Sequence, residues 1–363
     1  MIINGSIVHM KKKILFICGS RNQTTQMHQI SQHLADEYDC FFTPYYASGH
    51  VEFMRRIGLT EMTIMSRRFT ERCLHYLEEH GLTVDLRGEE HHYDLVLTCA
   101  DLVVPKNIRK NKIILVQEGM TDPENWAYHL VKLHLMPRWC ASTAAMGLSD
   151  AYVKFCVASD GYKELFIGKG VMPEKLIVTG IPNFDHCVQY LNNTFPHKNF
   201  VLVCTSDSRE TVKLENRKAI ILDAVKKANG RLLIFKLHPN ENVQRATAEI
   251  AKYAPDALVF SSGSAEEMIA NCDVLITQFS STVYVGLALG KEVYSNFPVE
   301  MLKRLTPLQN NCAARNIADV CRQVIDLPHT NILHFTPTKS GRLKEFFRTN
   351  SSTGFLKIFP QTP

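Results

Sequence analysis

The sequence lacks several features that would each have named a function. No apolar run approaches the roughly 18 residues of a membrane span; the longest, such as Ile14-Leu-Phe-Ile-Cys18 and Ile113-Ile-Leu-Val116, are strand-sized. The 11 cysteines include no Cys-x-x-Cys pair, which removes a cysteine-based zinc site. Neither Gly-x-Gly-x-x-Gly nor the Walker pattern occurs, which disfavours dinucleotide and ATP sites of those types. No Asp-x-Asp stands at a convincing strand end, so no essential metal and no cofactor are expected. Neither sign of charge dominates: 41 Lys and Arg face 36 Asp and Glu, a net +5. No basic stretch is interleaved with aromatics, so no nucleic-acid partner is expected.

What is present is globular. Hydrophobic residues at 45% and charged residues at 21% exclude a disordered or fibrous chain. A length of 363 residues corresponds to two domains at about 150 each. Cys18, Cys156 and Cys204 lie inside apolar runs and read as buried free thiols of a reducing compartment. The apolar segment after Met10-Lys-Lys-Lys is shorter than a signal-peptide core of about 7–15 residues. Met10 is therefore an alternative start, residues 1–9 a loose extension, and the protein is expected in the cytoplasm. Met10-Lys-Lys-Lys and the basic residues of 342–348 could touch the inner face of a membrane, although solvated charge is the plainer reading.

Short β-branched runs alternate with segments of helical period, as in parallel α/β domains. Strands are expected at 13–18, 39–43, 93–98, 112–116, 152–158 and 175–179. A second series follows at 200–204, 231–236, 257–260, 273–277 and 292–295. Helices are expected around Met27, Ile30 and Leu34, and over 67–80, 210–229 and 281–289. Another follows Pro239, and a short one is N-capped by Ser264 with Glu267 at the capping-box position. The expected architecture is α/β, with two facing Rossmann-like domains and a cleft between them. The first covers 10–182 and carries the acceptor side. The second covers 183–330 and carries the nucleotide donor; residues 331–363 form a tail with one helical patch at 343–347. Ligands of such sheets bind beyond the carboxyl ends of the strands.

The candidate residues fall at those ends. Asp273–Gly290 runs from a strand through Ser280 and Ser281 into a helix, where unpaired N–H groups and the hydroxyls of Ser280, Ser281 and Thr282 could cradle phosphate. The plain alternative is that one of these serines is an N-cap. Lys236-Leu-His-Pro-Asn-Glu places His238 at a sheet edge, where an imidazole can donate to phosphate or act as an acid. Val116-Gln-Glu-Gly puts Glu118 on the opposite wall, where an acceptor hydroxyl would need a base. Asp122, Glu124 and Trp126 are its less certain neighbours. Two weaker turns follow first strands: Gly19-Ser20-Arg21, for phosphate or acceptor, and the turn carrying Arg209, which could pair with a diphosphate.

Together these segments resemble nucleotide-sugar enzymes of the GT-B fold. Lys236-Leu-His-Pro-Asn-Glu resembles the His-Pro motif of capsule and teichoic-acid transferases. The segment from Gln278 to Val293 resembles their Ser-Ser motif and the matching segment of UDP-N-acetylglucosamine 2-epimerases. Val178-Thr-Gly-Ile-Pro-Asn-Phe-Asp resembles the turn that enters the second domain in both groups. Val116-Gln-Glu-Gly resembles the acidic-acidic-Gly motif of the sialyltransferase-like members, with Gln117 in place of one acid. The resemblance implies His238 on the donor phosphate or as acid, Ser280 and Ser281 on the phosphate, and Glu118 as base. Val285 stands where many relatives carry a ribose-binding Glu. The expected function is a metal-independent glycosyltransferase, or a sugar- or polyol-phosphate transferase, of cell-envelope or capsular polysaccharide synthesis. Its partners would be a nucleotide-sugar donor and a sugar or lipid-linked acceptor, with a homodimer allowed. A 2-epimerase, or a GT-B-like protein that binds a nucleotide sugar without catalysis, are the alternatives.

Overall fold

Runs of aliphatic and aromatic residues without polar interruption become strands that are buried on both faces, the signature of parallel sheets covered by helices. The computed structural model describes residues 11–58, 63, 65–149, 151–206, 209 and 215–328, together with a two-residue ladder pairing Ile2–Ile3 with Ser6–Ile7. Of the basic head only Met10 lies outside the described residues; the expected helix start at 210–214 and the tail with its patch at 343–347 also lie outside them.

The first sheet contains β1 (Lys13–Cys18), β2 (Asp39–Pro44), β3 (Leu95–Thr98), β4 (Lys112–Val116), β5 (Lys154–Val157) and β6 (Leu176–Val178). Their order is β2-β1-β3-β4-β5-β6, and every pairing is parallel. The second contains β7 (Val201–Cys204), β8 (Leu233–Lys236), β9 (Leu258–Phe260), β10 (Val274–Thr277) and β11 (Glu292–Tyr294), ordered β9-β8-β7-β10-β11 and again all parallel. The strand order reverses between β1 and β3 in one sheet and between β7 and β10 in the other. Crevices open at such switch points.

The helices are α1 (Arg21–Gln32), α2 (His50–Arg56), α3 (Arg67–Glu79), α4 (Trp126–Lys132), α5 (Asp160–Lys169), α6 (Arg217–Ala228), α7 (Val243–Tyr253), α8 (Ala265–Asn271), α9 (Thr282–Ala288), α10 (Val299–Leu305) and α11 (Ala313–Ile325). Met27, Ile30 and Leu34 are fully buried, as their spacing requires. Ser264 caps α8 by accepting from the Glu267 amide, but its hydroxyl donates to Glu266, so the reciprocal capping box is not what holds that end. α6 begins only at Arg217, with Asn216 accepting from the Ala219 amide as its cap.

The chain to Leu327 forms one compact unit. α10 lies against α5, and a Cβ at Gly161 would sit 2.1 Å from the Arg304 carbonyl oxygen, so only glycine permits that approach. The Ser159 hydroxyl donates to the same carbonyl, and the hydroxyls of Tyr162 and Tyr284 meet at 2.6 Å in the core. α11 then returns to the first sheet: Ile317, Val320, Cys321 and Val324 join the cluster formed by Ile14, Phe16, Leu97 and Ile114. Each such buried aliphatic side chain contributes about 1.5–3 kcal/mol, enough to hold the crossing helix. Cys18, Cys156 and Cys204 are buried free thiols.

Candidate functional site

The carboxyl ends of β1 and β4 bring together two turns that are about 100 residues apart in sequence. After β1, Ser20 takes an extended conformation and caps α1, accepting from the Gln23 amide at 3.2 Å. Its hydroxyl also donates to Glu118 Oε1 at 2.5 Å, while Gln23 Nε2 donates to Oε2. Both carboxylate oxygens are thus engaged by donors, the pattern of an ionised acceptor. Burial pushes the Glu118 carboxyl above its ordinary range, and the bonds from Ser20 and Gln23 oppose that rise.

Gln117 sits behind Glu118 and is fully buried. Its Nε2 donates to the Gly119 carbonyl and its Oε1 accepts from the Ala158 amide, each at 2.9 Å. Gln26 donates to the Gln117 carbonyl at 3.0 Å. The turn is braced from inside by Gln117 and Gln26, while Glu118 is held by Ser20 and Gln23.

The opposite wall is the turn between β10 and α9. Ser281 does not cap its own helix. Its hydroxyl instead accepts from the Met120 amide at 3.0 Å, and a Cβ at Gly119 would lie 2.6 Å from that oxygen. The glycine of the Gln-Glu-Gly turn is therefore required by a side chain from the other sheet. The helix start differs from the open cradle expected. The Thr282 amide is held by the Ser280 hydroxyl, the Val283 amide by the Ser280 carbonyl, and the Tyr284 amide by the Ser281 carbonyl. What the turn presents is hydroxyl groups: Thr282 Oγ1 and Ser280 Oγ are 2.9 Å apart. Met120, Asp122, Phe279, Ser280, Ser281 and Phe297 are among the residues lining a recess of about 80 Å³ between the two turns. That volume fits a phosphate-sized group, well short of the few hundred Å³ usual for a larger ligand.

His238 follows β8, which is two strand spacings, about 10 Å, from β10. Its ring Nδ1 accepts from the Asn240 amide at 3.2 Å, so the neutral ring carries its proton on Nε2 as a donor. Its backbone amide is shared by Thr205 Oγ1 and Glu241 Oε2, at 3.0 and 3.2 Å. Glu241 is the residue that the sequence reading passed over. Its side chain is fully buried, accepts from Thr205 and Arg217, and so fixes the turn carrying His238.

Arg209 is half-buried among carboxylates, with hydrogen bonds from Nη1 to Glu249. Its Nη1 pairs with Glu249 at 2.8 Å, and Glu215 and Glu241 lie 3.6 and 3.8 Å from its other nitrogens. Three carboxylates from separate elements claim it. Gly19 is buried directly beneath the Ser20 cap. Val285 is fully buried in the core and faces no cleft. Among the described residues, no group of three or more His, Cys, Asp and Glu side chains is placed to hold a metal ion.

No family model matches the chain, and no curated protein matches it. Solved structures do. A putative UDP-N-acetylglucosamine 2-epimerase from Listeria monocytogenes aligns with a TM-score of 0.57 at 11% identity, over 88% of this chain and 99% of that one. S. aureus MnaA, in a co-structure with UDP, aligns at 0.54 and 11% identity, over 90% and 99%. The Methanocaldococcus jannaschii UDP-GlcNAc 2-epimerase, in complex with UDP-GlcNAc and UDP, aligns at 0.52 and 13% identity, over 93% and 99%. This chain has the GT-B fold. The two sheets, their strand orders and the helix that crosses back are those of two Rossmann-like units, as the motifs implied.

Proposed function

We propose that the chain is a GT-B enzyme that transfers a sugar, or a sugar or polyol phosphate, from a nucleotide-activated donor in cell-envelope polysaccharide synthesis. The observation that carries this reading is Glu118. It stands where the turn after β4 meets the turn after β1, buried enough to be more basic than usual and oriented by two donors. A base of raised pKa is suited to taking a proton from an acceptor hydroxyl near neutral pH. The acceptor oxygen then attacks the donor's reacting centre, the bond to the leaving phosphate breaks, and the nucleotide departs with the bonding pair. His238 Nε2–H and the hydroxyls of Ser280 and Thr282 are the donors that would answer that charge, and such fixed donors are often the largest catalytic contribution. Glu118 keeps the acceptor's proton until solvent removes it. Turnover is expected to persist in EDTA.

The test is a thermal-shift screen against UDP-, CMP-, CDP- and GDP-sugars, followed by turnover with Glu118→Gln. A shift from one donor class and loss of transfer in the variant are expected; no shift from any of them would sink the reading. The 2-epimerase reading is favoured by the solved structures, two of which hold UDP. It is separated by incubating the chain with UDP-N-acetylglucosamine alone in D₂O. An epimerase must break the C2–H bond and will place deuterium there without any acceptor, whereas a transferase leaves C2 untouched.

A further inference from the structure

The chain's only two tryptophans, Trp126 and Trp139, lie on one small hairpin directly after the Glu118 turn. α4 and the tight helical turn Arg138–Ala145 pack on each other through a core of their own, made of Ala127, Tyr128, Val131, Ala141, Ala144 and Ala145. Outward, the hairpin exposes Trp126 (70%), Leu135 (69%), Trp139 (44%) and Leu133 (37%). Four large apolar side chains exposed on one short hairpin are the kind of surface that marks an interaction site. Residues 125–149 carry Lys132 and Arg138 and no acid; Glu124 and Asp150 flank them in sequence, and the Asp122 carboxylate accepts from Thr143.

We infer that this hairpin docks on an anionic lipid bilayer. Tryptophan rings settle at the boundary between headgroups and hydrocarbon, where one end of the ring is apolar and the other wet. Basic residues beside them are drawn to acidic headgroups. α4 has seven residues, and no helix among the described residues is long and apolar enough to cross a membrane, so the hairpin lies on the surface and does not span it. Only Glu124 and Asn125 separate Pro123, which lines the recess, from Trp126, so docking sets the site beside the lipid surface. The inference is independent of Glu118's role and stands or falls on the hairpin alone.

Because both tryptophans are in the hairpin, intrinsic fluorescence reports on it directly. The full chain is titrated with phosphatidylcholine vesicles containing phosphatidylglycerol at 30 mol% or at none, with sedimentation of the vesicles as a second readout. A blue shift and co-sedimentation with the acidic vesicles, weakened by salt, are expected. Trp126→Ser with Leu135→Ser should lower binding by roughly tenfold or more, and Lys132→Glu should weaken it on acidic vesicles only. All three side chains are exposed, so unchanged melting is the control for folding. Two results overturn the proposal: no blue shift on acidic vesicles, or a lipid-free dimer in sedimentation velocity that the double variant dissolves, which would make the hairpin a contact between two copies.

Discussion

Replacing Glu241 by leucine strips the His238 turn of its anchor. The side chains of Glu241 and Arg217 are 0% and 5% exposed, so neither charge is screened by water. Removing one partner of such a pair leaves a buried cation and costs about 3–5 kcal/mol. Arg217 keeps Glu215 at 2.6 Å, which places the expected loss at the lower end of that range. Against the usual 5–15 kcal/mol of native stability this is a large share, and it should lower the melting temperature by about 5 °C. The Thr205 hydroxyl and the His238 amide lose an acceptor at the same time, so kcat/KM should fall even where the fold survives. Adding Arg217→Met removes the stranded charge, and the double variant should melt above the sum of the single losses by at least about 1 kcal/mol of coupling. Calorimetric melting of the four proteins measures this. A Glu241→Leu protein that melts with the wild type, or strict additivity, would refute the assignment of Glu241 as the residue that positions His238.

Glu118→Gln should lower turnover by about 10²–10⁴-fold if the carboxylate is the base, and should raise thermal stability at neutral pH. A carboxyl whose folded pKa exceeds its unfolded one stabilises the fold only while protonated, fully below the ordinary 4.5, and the benefit is lost as pH rises through the folded value. The stability gap between variant and wild type should therefore close in acid, and melting curves at pH 4 and pH 7 check it. Gly119→Ala drives a methyl to 2.6 Å from Ser281 Oγ but only 3.4 Å from Ser281 Cβ. Gly119→Ala with Ser281→Ala should then be more stable than Gly119→Ala alone; the reverse order would mean that the two turns do not meet as described.

The strands were legible because their burial is local: Ile14 to Cys18 and Ile113 to Val116 are apolar wherever the chain goes. Ser20, Glu118, His238 and Ser281 were legible because turns at strand ends in parallel sheets fall on one side. Partners were less so. The amphipathic period of α11 is present in the sequence, but its place beside Ile14 and Phe16 depends on a contact some 300 residues distant. Arg209 has the chemistry to bind phosphate, and that Glu215, Glu241 and Glu249 gather around it depends on contacts between separate elements. Gln23 carries no signal at all until the cap at Ser20 turns it toward Glu118.

The two departures from the motif pattern, Gln117 and Val285, are the features on which a loss of catalysis would rest, and both side chains are fully buried. Val285 packs in the hydrophobic core. Gln117 works because an amide has both a donor and an acceptor: it gives a hydrogen to the Gly119 carbonyl and takes one from the Ala158 amide. An ionised Glu can do only the second, and would set an oxygen against a carbonyl oxygen in a fully buried position. Gln117→Glu should therefore cost about 3 kcal/mol or more at pH 7. It should recover part of that as pH falls and the carboxyl, once protonated, can donate to Gly119. If the variant melts with the wild type at neutral pH, position 117 tolerates an acid, and the amide is then a substitution in the site rather than a brace behind it.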